Sequence, residues 1–400
     1  MPLILAVFVA VYVGMALGRW PGSHRHRLLG AVVLYAAGSI DGAQALHAAD
    51  FPTLIVLFGL MMLSAQYAAC GFYGWCSARI AAARASPAAI LGLTVRVAGV
   101  LSAILANDIV VFAMTPMLIA GLQRRGLDPR PFLIAMAGAS NAGSAATVIG
   151  NPQNILIGQL GGLDFWTFLG ACGPPAAFGL VTVFAVVGLV WRRHLGAAAD
   201  RRVDIEVPPV DRLGIGKAAL ATIALLAMFT TPLPHVTGVL IVAAVLLVSR
   251  RLATREILGL VDWHLLVLFA GLFVVTAAFA EAGLAAGTLT ALTAAGVDPH
   301  ALPALASLTL LGSNTIGNVP TVVLLLAVLK DLPAESLYAL AALSTLAGNL
   351  LIVGSLANII TVERARQCGV VLGFGEHARC GIPITVLSFA AAVAWFAWRS

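Results

Sequence analysis

The sequence predicts an all-α polytopic membrane protein made of two inverted repeats, each with five transmembrane helices and one re-entrant hairpin. Three observations predict it. The 400 residues are 60% hydrophobic and only 10% charged, with a mean hydropathy of +1.00, whereas a soluble domain carries about 25% charged residues. Apolar runs of roughly 17–25 residues, the length that spans a bilayer, recur from end to end. The polar interruptions within those runs come twice, in the same order.

In order along the chain, residues 1–191 form the first repeat. Its spans are 3–19, 28–46 and 53–74, then a hairpin at 87–122, a broken helix at 131–160 and a last helix at 166–191. The stretch 192–216, with Arg192, Arg193, Asp200, Arg201, Arg202, Asp204, Glu206, Asp211 and Pro208-Pro209, is the one linker. Residues 217–400 repeat the scheme: 217–231, 235–249, 263–284, a hairpin at 301–330, a broken helix at 335–362 and a last helix at 381–398. A shift of 204 superimposes Ala135, Ala137, Ser140, Gly150, Asn154 and Ile155 on Ala339, Ala341, Ser344, Gly354, Asn358 and Ile359. A shift of 211 superimposes Ser102 and Asn107 on Ser313 and Asn318. Polar residues matching in order inside apolar helices point to internal duplication.

Charge sets the expected orientation. A hairpin enters and leaves on one side, so each half has five crossings and the halves point opposite ways. Twenty of the 23 Lys and Arg residues then share one face; Lys330 and Arg399 fall on the other, and Arg96 lies within the first hairpin. If 87–122 crossed once, that bias would largely cancel. By the positive-inside rule the linker is cytoplasmic and both termini are external, in a bacterial inner membrane. The first segment lacks a basic n-region and reads as a helix, not a cleaved signal.

The helix breaks carry the chemistry. Breaking a helix in lipid exposes backbone groups that cost several kcal/mol each when unsatisfied, so breaks survive where they line a polar cavity. The first break is read at Asn107-Asp108, and an acid inside a membrane segment is a functional candidate by default. The second is read at Gly150-Asn151-Pro152, preceded by Ser140, Asn141 and Thr147 and followed by Asn154. The second half offers Asn314, Thr315, Asn318 and Thr321, then Ser344, Thr345 and Asn349, then Gly354, Ser355 and Asn358. Val319 stands where Asp108 stood, so only one half carries an acid. Either Asn314 or Asn318 marks the second hairpin tip. Arg96 is a candidate partner for Asp108, and Glu281 is a helix-boundary residue or a proton carrier.

Other classes find little support. The net charge of +6 is scattered, which excludes a nucleic-acid face. Five cysteines form no CxxC pair and eight histidines do not cluster, so no structural metal site and no cofactor is expected beyond a Na⁺ or H⁺ coupling ion. An intramembrane enzyme would need a GxSxG-like serine with a histidine, paired aspartates or an acidic cluster, and Asp108 has no acidic mate in the sequence. A passive channel would need no coupling residue. Gly14 and Gly18 form a GxxxG, the pattern of a close helix contact such as a homodimer would use.

At these residues the chain resembles the ion transporter superfamily, which includes arsenite permeases, sodium/proton antiporters, and citrate and dicarboxylate transporters. ANDIVVFAMTP, from Ala106 to Pro116, resembles its first hairpin tip, and SNAGSAATVIGNPQNI, from Ser140 to Ile155, its first broken helix. GNVPT, from Gly317, and GNLLIVGSLANII, from Gly348, resemble the second tip and break. The resemblance implies a scaffold and a mobile unit that slides elevator fashion, moving a small inorganic or organic ion coupled to Na⁺ or H⁺. It places Asn107 and Asn318 at the site, with Gly150, Asn151, Asn154, Gly354, Ser355 and Asn358 forming the break backbones and cation cradles. The carboxylate symporters carry Ser-Asn-Thr at both tips; here the first tip is Ala106-Asn107-Asp108. That acid favours the arsenite and antiporter branch, whereas Ser313-Asn314-Thr315 as the second tip would favour carboxylates.

Overall fold

The computed structural model describes residues 1–17, 23–197, 207–231, 233–248, 254–329 and 331–399. All regular structure among them is helical. Arg19, Gly18, Asp200, Arg201, Arg202, Asp204, Glu206, Arg250, Arg251 and Lys330, which entered the reading of charge, linker and helix contact, lie outside the described residues.

The first half runs α1 (Pro2–Leu17), α2 (Ser23–Ala36), α3 (Gly42–Ala48), α4 (Phe51–Ala69), α5 (Phe72–Ala82), α6 (Pro87–Ile104), α7 (Asn107–Arg124), α8 (Arg130–Ser144), α9 (Pro152–Gly161) and α10 (Phe165–Val190). The short α11 (Arg192–Ala197) follows. The second half runs α12 (Arg212–Met228), α13 (His235–Leu247), α14 (Thr254–Gly259), α15 (Trp263–Glu281), α16 (Leu284–Ala294), α17 (Leu302–Thr315), α18 (Asn318–Val328), α19 (Ala334–Ala347), α20 (Leu356–Gln367) and α21 (Phe374–Arg399). Five of these, α4, α6, α10, α15 and α21, are long and apolar enough to cross a membrane unaided. At 1.5 Å per residue, α10 and α21 reach about 39 Å, more than a hydrocarbon core of about 30 Å.

Several boundaries differ from the sequence reading, and the differences have local causes. The run 53–74 is two helices, because Gly71 takes a left-handed φ of 76° and turns the chain between α4 and α5. The span read at 263–284 ends at Glu281, and Gly283, also at φ 76°, turns the chain into α16, which the sequence reading lacked. Apolar residues continue past both glycines, so composition alone hides the corners. The short helices α3 and α14 were likewise not expected; each leads into an aspartate that caps the next helix, Asp50 for α4 and Asp262 for α15. Arg96 is exposed on α6 and Glu281 is exposed at the end of α15. Arg96 makes no ion pair with Asp108, which corrects that expectation.

Packing sorts the helices into two groups. In one, α4 lies against α13 and α15 against α2, with α12 on α4 and α1 on α15. Tyr12 of α1 and Thr276 of α15 share a hydrogen bond of 3.0 Å, and Tyr67 of α4 and Thr222 of α12 one of 3.1 Å. In the other group α8 packs on α6 and α10, α19 on α17 and α21, and α10 runs along α21. Ion pairs tie the two ends of α21 to different partners. Glu376, in its first turn, meets Arg130 at the start of α8. Arg399, in its last turn, meets Glu335 at the start of α19 at 2.9 Å. Thus α8 and α19 begin at opposite ends of one membrane-length helix.

Candidate functional site

The site is built from two hairpins and two broken helices. α6 closes at Ile104, Leu105 and Ala106 turn the chain, and α7 starts at Asn107. The turn therefore precedes Asn107-Asp108, and both residues sit in the first turn of α7, one step later than the sequence reading put the break. Ser64 of α4 receives the Ala106 N–H at 2.9 Å, and the Asn107 N–H donates to the Gly150 carbonyl at 3.3 Å. The second hairpin turns at Ile316-Gly317, where Gly317 takes φ 96° and Asn318 opens α18. Asn318 is the tip residue. Asn314 lies in the last turn of α17 with its amide on the Leu310 and Ala347 carbonyls, both at 3.0 Å. Thr315 is exposed and bonds only within its own helix, so the structure does not bring it to the site. Thr321 is buried and donates to Gly317 O at 2.7 Å.

Each broken helix leaves carbonyls without a helical partner, and asparagine amides satisfy them. Asn154 donates to Ser144 O at 3.2 Å and Thr147 O at 2.9 Å. Asn358 donates to Gly348 O at 2.8 Å and Leu351 O at 3.1 Å. Donors and acceptors are all related by the same shift of 204. Pro152 opens α9 where a missing N–H costs nothing, and Asn151 caps that helix by accepting the Asn154 N–H at 2.9 Å. Ser355 caps α20 in the same way through Ala357 N at 3.2 Å. Gly150 is needed for space, since a Cβ there would stand 2.4 Å from Ser144 O. At Gly354 a Cβ would stand 2.5 Å from Asn314 Oδ1.

The two breaks also hold each other. Asn151 donates to Thr345 Oγ1 at 3.2 Å, and Ser355 donates to Asn141 Oδ1 at 2.8 Å. Asn151 corresponds to Ser355 and Asn141 to Thr345, so the contacts are one contact made twice. Asn141 completes the knot by donating to Asn349 Oδ1 at 2.8 Å and Asn358 Oδ1 at 3.2 Å. Gln153, which the sequence reading passed over, donates to Thr345 Oγ1 at 3.1 Å. Ser102 and Ser140 share a bond of 2.8 Å, and their counterparts Ser313 and Ser344 meet through the Ser344 carbonyl at 3.5 Å. Thr147 donates to Ala103 O. What remains unpartnered in this buried region is amide oxygen: Asn107 Oδ1, Asn154 Oδ1 and Asn314 Oδ1. Asn107 is 4% exposed.

Asp108 stands apart from this knot. Its carboxylate accepts no hydrogen bond from any described residue, and it faces a cavity of about 400 Å³ beside Ala106, Asn151 and Pro152. The rest of the lining is apolar, from Leu57, Leu60 and Met61 of α4 to Phe112 of α7 and Ile360 of α20, with one exception. That exception is Asp262, the cap of α15, so Asp108 does have an acidic neighbour that the sequence did not disclose. An aspartate ahead of an apolar run reads as a helix cap and nothing more. No Lys, Arg or His among the described residues lines the cavity. No cluster of His, Cys, Asp and Glu among the described residues has the make-up of a metal site.

The sequence profile described as Citrate transporter matches residues 25–347. The chain belongs to the citrate transporter family. That membership bears out the resemblance to the ion transporter superfamily drawn from the helix breaks, and it makes this family member a multi-pass membrane protein of a transporter family. An uncharacterized transporter of Mycobacterium tuberculosis is 29% identical, over 96% of this chain and 95% of its own. The silicon efflux transporter of Oryza sativa subsp. japonica is 26% identical, over 96% of this chain and 93% of its own. Among solved structures, the YdaH transporter of Alcanivorax borkumensis aligns with a TM-score of 0.60 over 99% of this chain and 96% of that one, at 14% identity. This last likeness concerns the fold alone.

Proposed function

We propose that this citrate transporter family member is a secondary active transporter driven by a Na⁺ or H⁺ gradient, with Asp108 as the coupling residue. The observation that carries the reading is the carboxylate of Asp108, which accepts no hydrogen bond from any described residue and stands in a cavity beside the first tip and the first break. A carboxylate without protein donors in an apolar wall needs a proton or a cation. Asn107 Oδ1, buried and unpartnered close by in the chain, is a further oxygen for a bound cation.

The same cavity informs the substrate. A like charge at ~5 Å repels an ionised carboxylate by about 3 kcal/mol at an effective dielectric of about 20, and no described cationic side chain in the lining offsets this. Citrate and dicarboxylates are therefore poor ligands for the ionised tip. A small inorganic acid of low charge, such as arsenite, or the coupling cation itself in antiport, fits better. The rice relative named for silicon efflux agrees with that class.

In this reading the two halves are inverted repeats, as the opposed starts of α8 and α19 along α21 support. The group of α1, α2, α4, α12, α13 and α15 is the scaffold, and the hairpins and broken helices move against it as an elevator. The protein sits in a bacterial inner membrane, with external termini, a cytoplasmic 192–216 linker and a homodimer as the assembly.

The test is uptake and efflux in proteoliposomes under imposed Na⁺ and H⁺ gradients, with arsenite, silicic acid, citrate, succinate and sulfate as solutes. Asp108→Asn is expected to fold and to lose gradient-driven transport. Gradient-driven flux at the wild-type rate in that variant would remove Asp108 from the coupling role.

A further inference from the structure

Asp262 faces Asp108 from the other group of helices. Its Oδ1 caps α15 by accepting the Leu265 N–H at 3.0 Å, and no described residue bonds to Oδ2. Capping does not demand an acid, since Asn and Ser cap equally well. The residue is exposed, whereas Asp108 is half-buried, so together they lead from the rim of the cavity to the hairpin tip. The two carboxylates are within electrostatic reach of each other. Charged neighbours on the surrounding elements stay out of the lining: Arg255 and Glu256 on α14, His264 on α15, and Arg364 on α20, which stacks over Phe112 at 3.7 Å. Two carboxylates across a space whose other described lining residues are apolar apart from Asn151, with no described counter-charge, are at ease only when a proton or a cation stands between them.

The other half of the chain makes the same arrangement. A shift of 212 superimposes Asp50, Gly59 and Leu60 on Asp262, Gly271 and Leu272. Asp50 caps α4 as Asp262 caps α15, with the difference that its Oδ2 also accepts the Thr53 hydroxyl at 2.6 Å, and it lines a second cavity of about 590 Å³. That cavity is walled by α3 and α4, α9, α15 and α18, the counterparts of α14 and α15, α20, α4 and α7 around the first, to which α9 adds Pro152 and Ile155 with no α20 counterpart in the second. Each half of the chain thus carries one cap aspartate into one cavity. Only the first cavity adds an acid from a hairpin tip.

We propose that Asp262 is a second coupling carboxylate, which takes the proton or sodium ion at the mouth of the first cavity and shares it with Asp108. Asp50 is its counterpart at the second cavity. The proposal rests on the coupled-transport reading of Asp108. It differs in locating half of the ion site on the scaffold, so that movement of the hairpin away from α15 separates the two acids.

Asp262→Asn keeps the cap and removes the charge, which separates the two roles. In proteoliposomes, solute flux is measured under an imposed H⁺ or Na⁺ gradient. Proton movement is read with a trapped pH dye and sodium movement with radiolabelled Na⁺. Asp262→Asn is expected to keep the wild-type thermal midpoint and to lose gradient-driven flux by about tenfold or more. Asp262→Glu restores it. Wild-type coupled flux in Asp262→Asn overturns the proposal, as does a fall in thermal midpoint that accounts for the loss. If the wild-type protein moves no solute under either gradient, the transport reading fails on its own. Binding to the purified protein then still decides Asp262: equal Na⁺ binding and equal proton uptake by wild type and Asp262→Asn overturn its role.

Discussion

At the scale of single residues, the asparagines divide by what their amides do. Asn154 and Asn358 complete the backbone of the breaks, while Asn141 joins the two halves. Replacing Asn141 by Ala strips partners from Asn349 Oδ1, Asn358 Oδ1 and the Ser355 hydroxyl at once. A buried polar group left unsatisfied costs about 1–3 kcal/mol. Asn141→Ala is therefore expected to lower the thermal midpoint in detergent more than Thr321→Val, which removes one bond inside its own turn. Equal midpoints for the two variants would show that the knot does not hold the halves. These residues were legible as a group because polar side chains are costly inside apolar helices, and their matching order named the positions. Their partners were not legible. Which amide meets which carbonyl depends on how two distant segments dock, and Asp262 was hidden because its capping role explains it fully within its own helix.

At the scale of elements, the hairpins and breaks were visible in the sequence to within a residue or two, and the corners at Gly71 and Gly283 were not. The breaks announce themselves through Asn, Pro and Gly together. The corners carry a lone glycine amid apolar residues that pack equally well on either side of a turn. Close packing of α6 on α8 depends on another glycine. A Cβ at Gly143 would stand 2.1 Å from the Gly99 carbonyl oxygen and 2.6 Å from its Cα, so backbone would have to move. Overpacking of this kind costs about 1–3 kcal/mol. Gly143→Ala is expected to lower the thermal midpoint and the transport rate. Gly170→Ala on α10, where a Cβ meets nothing within 4 Å, is expected to be neutral or slightly stabilising. Similar behaviour of the two variants would show that the contact between α6 and α8 yields without cost.

At the scale of the whole molecule, the same contacts made twice give each cavity a wall from each group of helices. In the first cavity Leu57 of α4 comes from the proposed scaffold and Ile155 of α9 from the proposed mobile unit. An elevator must slide one of these walls past the other, whereas a rigid pore need not. With Cys70, Cys76, Cys172, Cys368 and Cys380 replaced, Leu57→Cys and Ile155→Cys provide a tether across the cavity. The tether is expected to form with a bifunctional thiol reagent, to stop solute counterflow, and to allow recovery when a cleavable reagent is reduced. Each single-cysteine variant treated alike should keep its counterflow, which separates tethering from simple blockage of the cavity. Full counterflow in the tethered protein would mean that substrate crosses without relative movement of the two groups, and the elevator would give way to a fixed pathway through the first cavity.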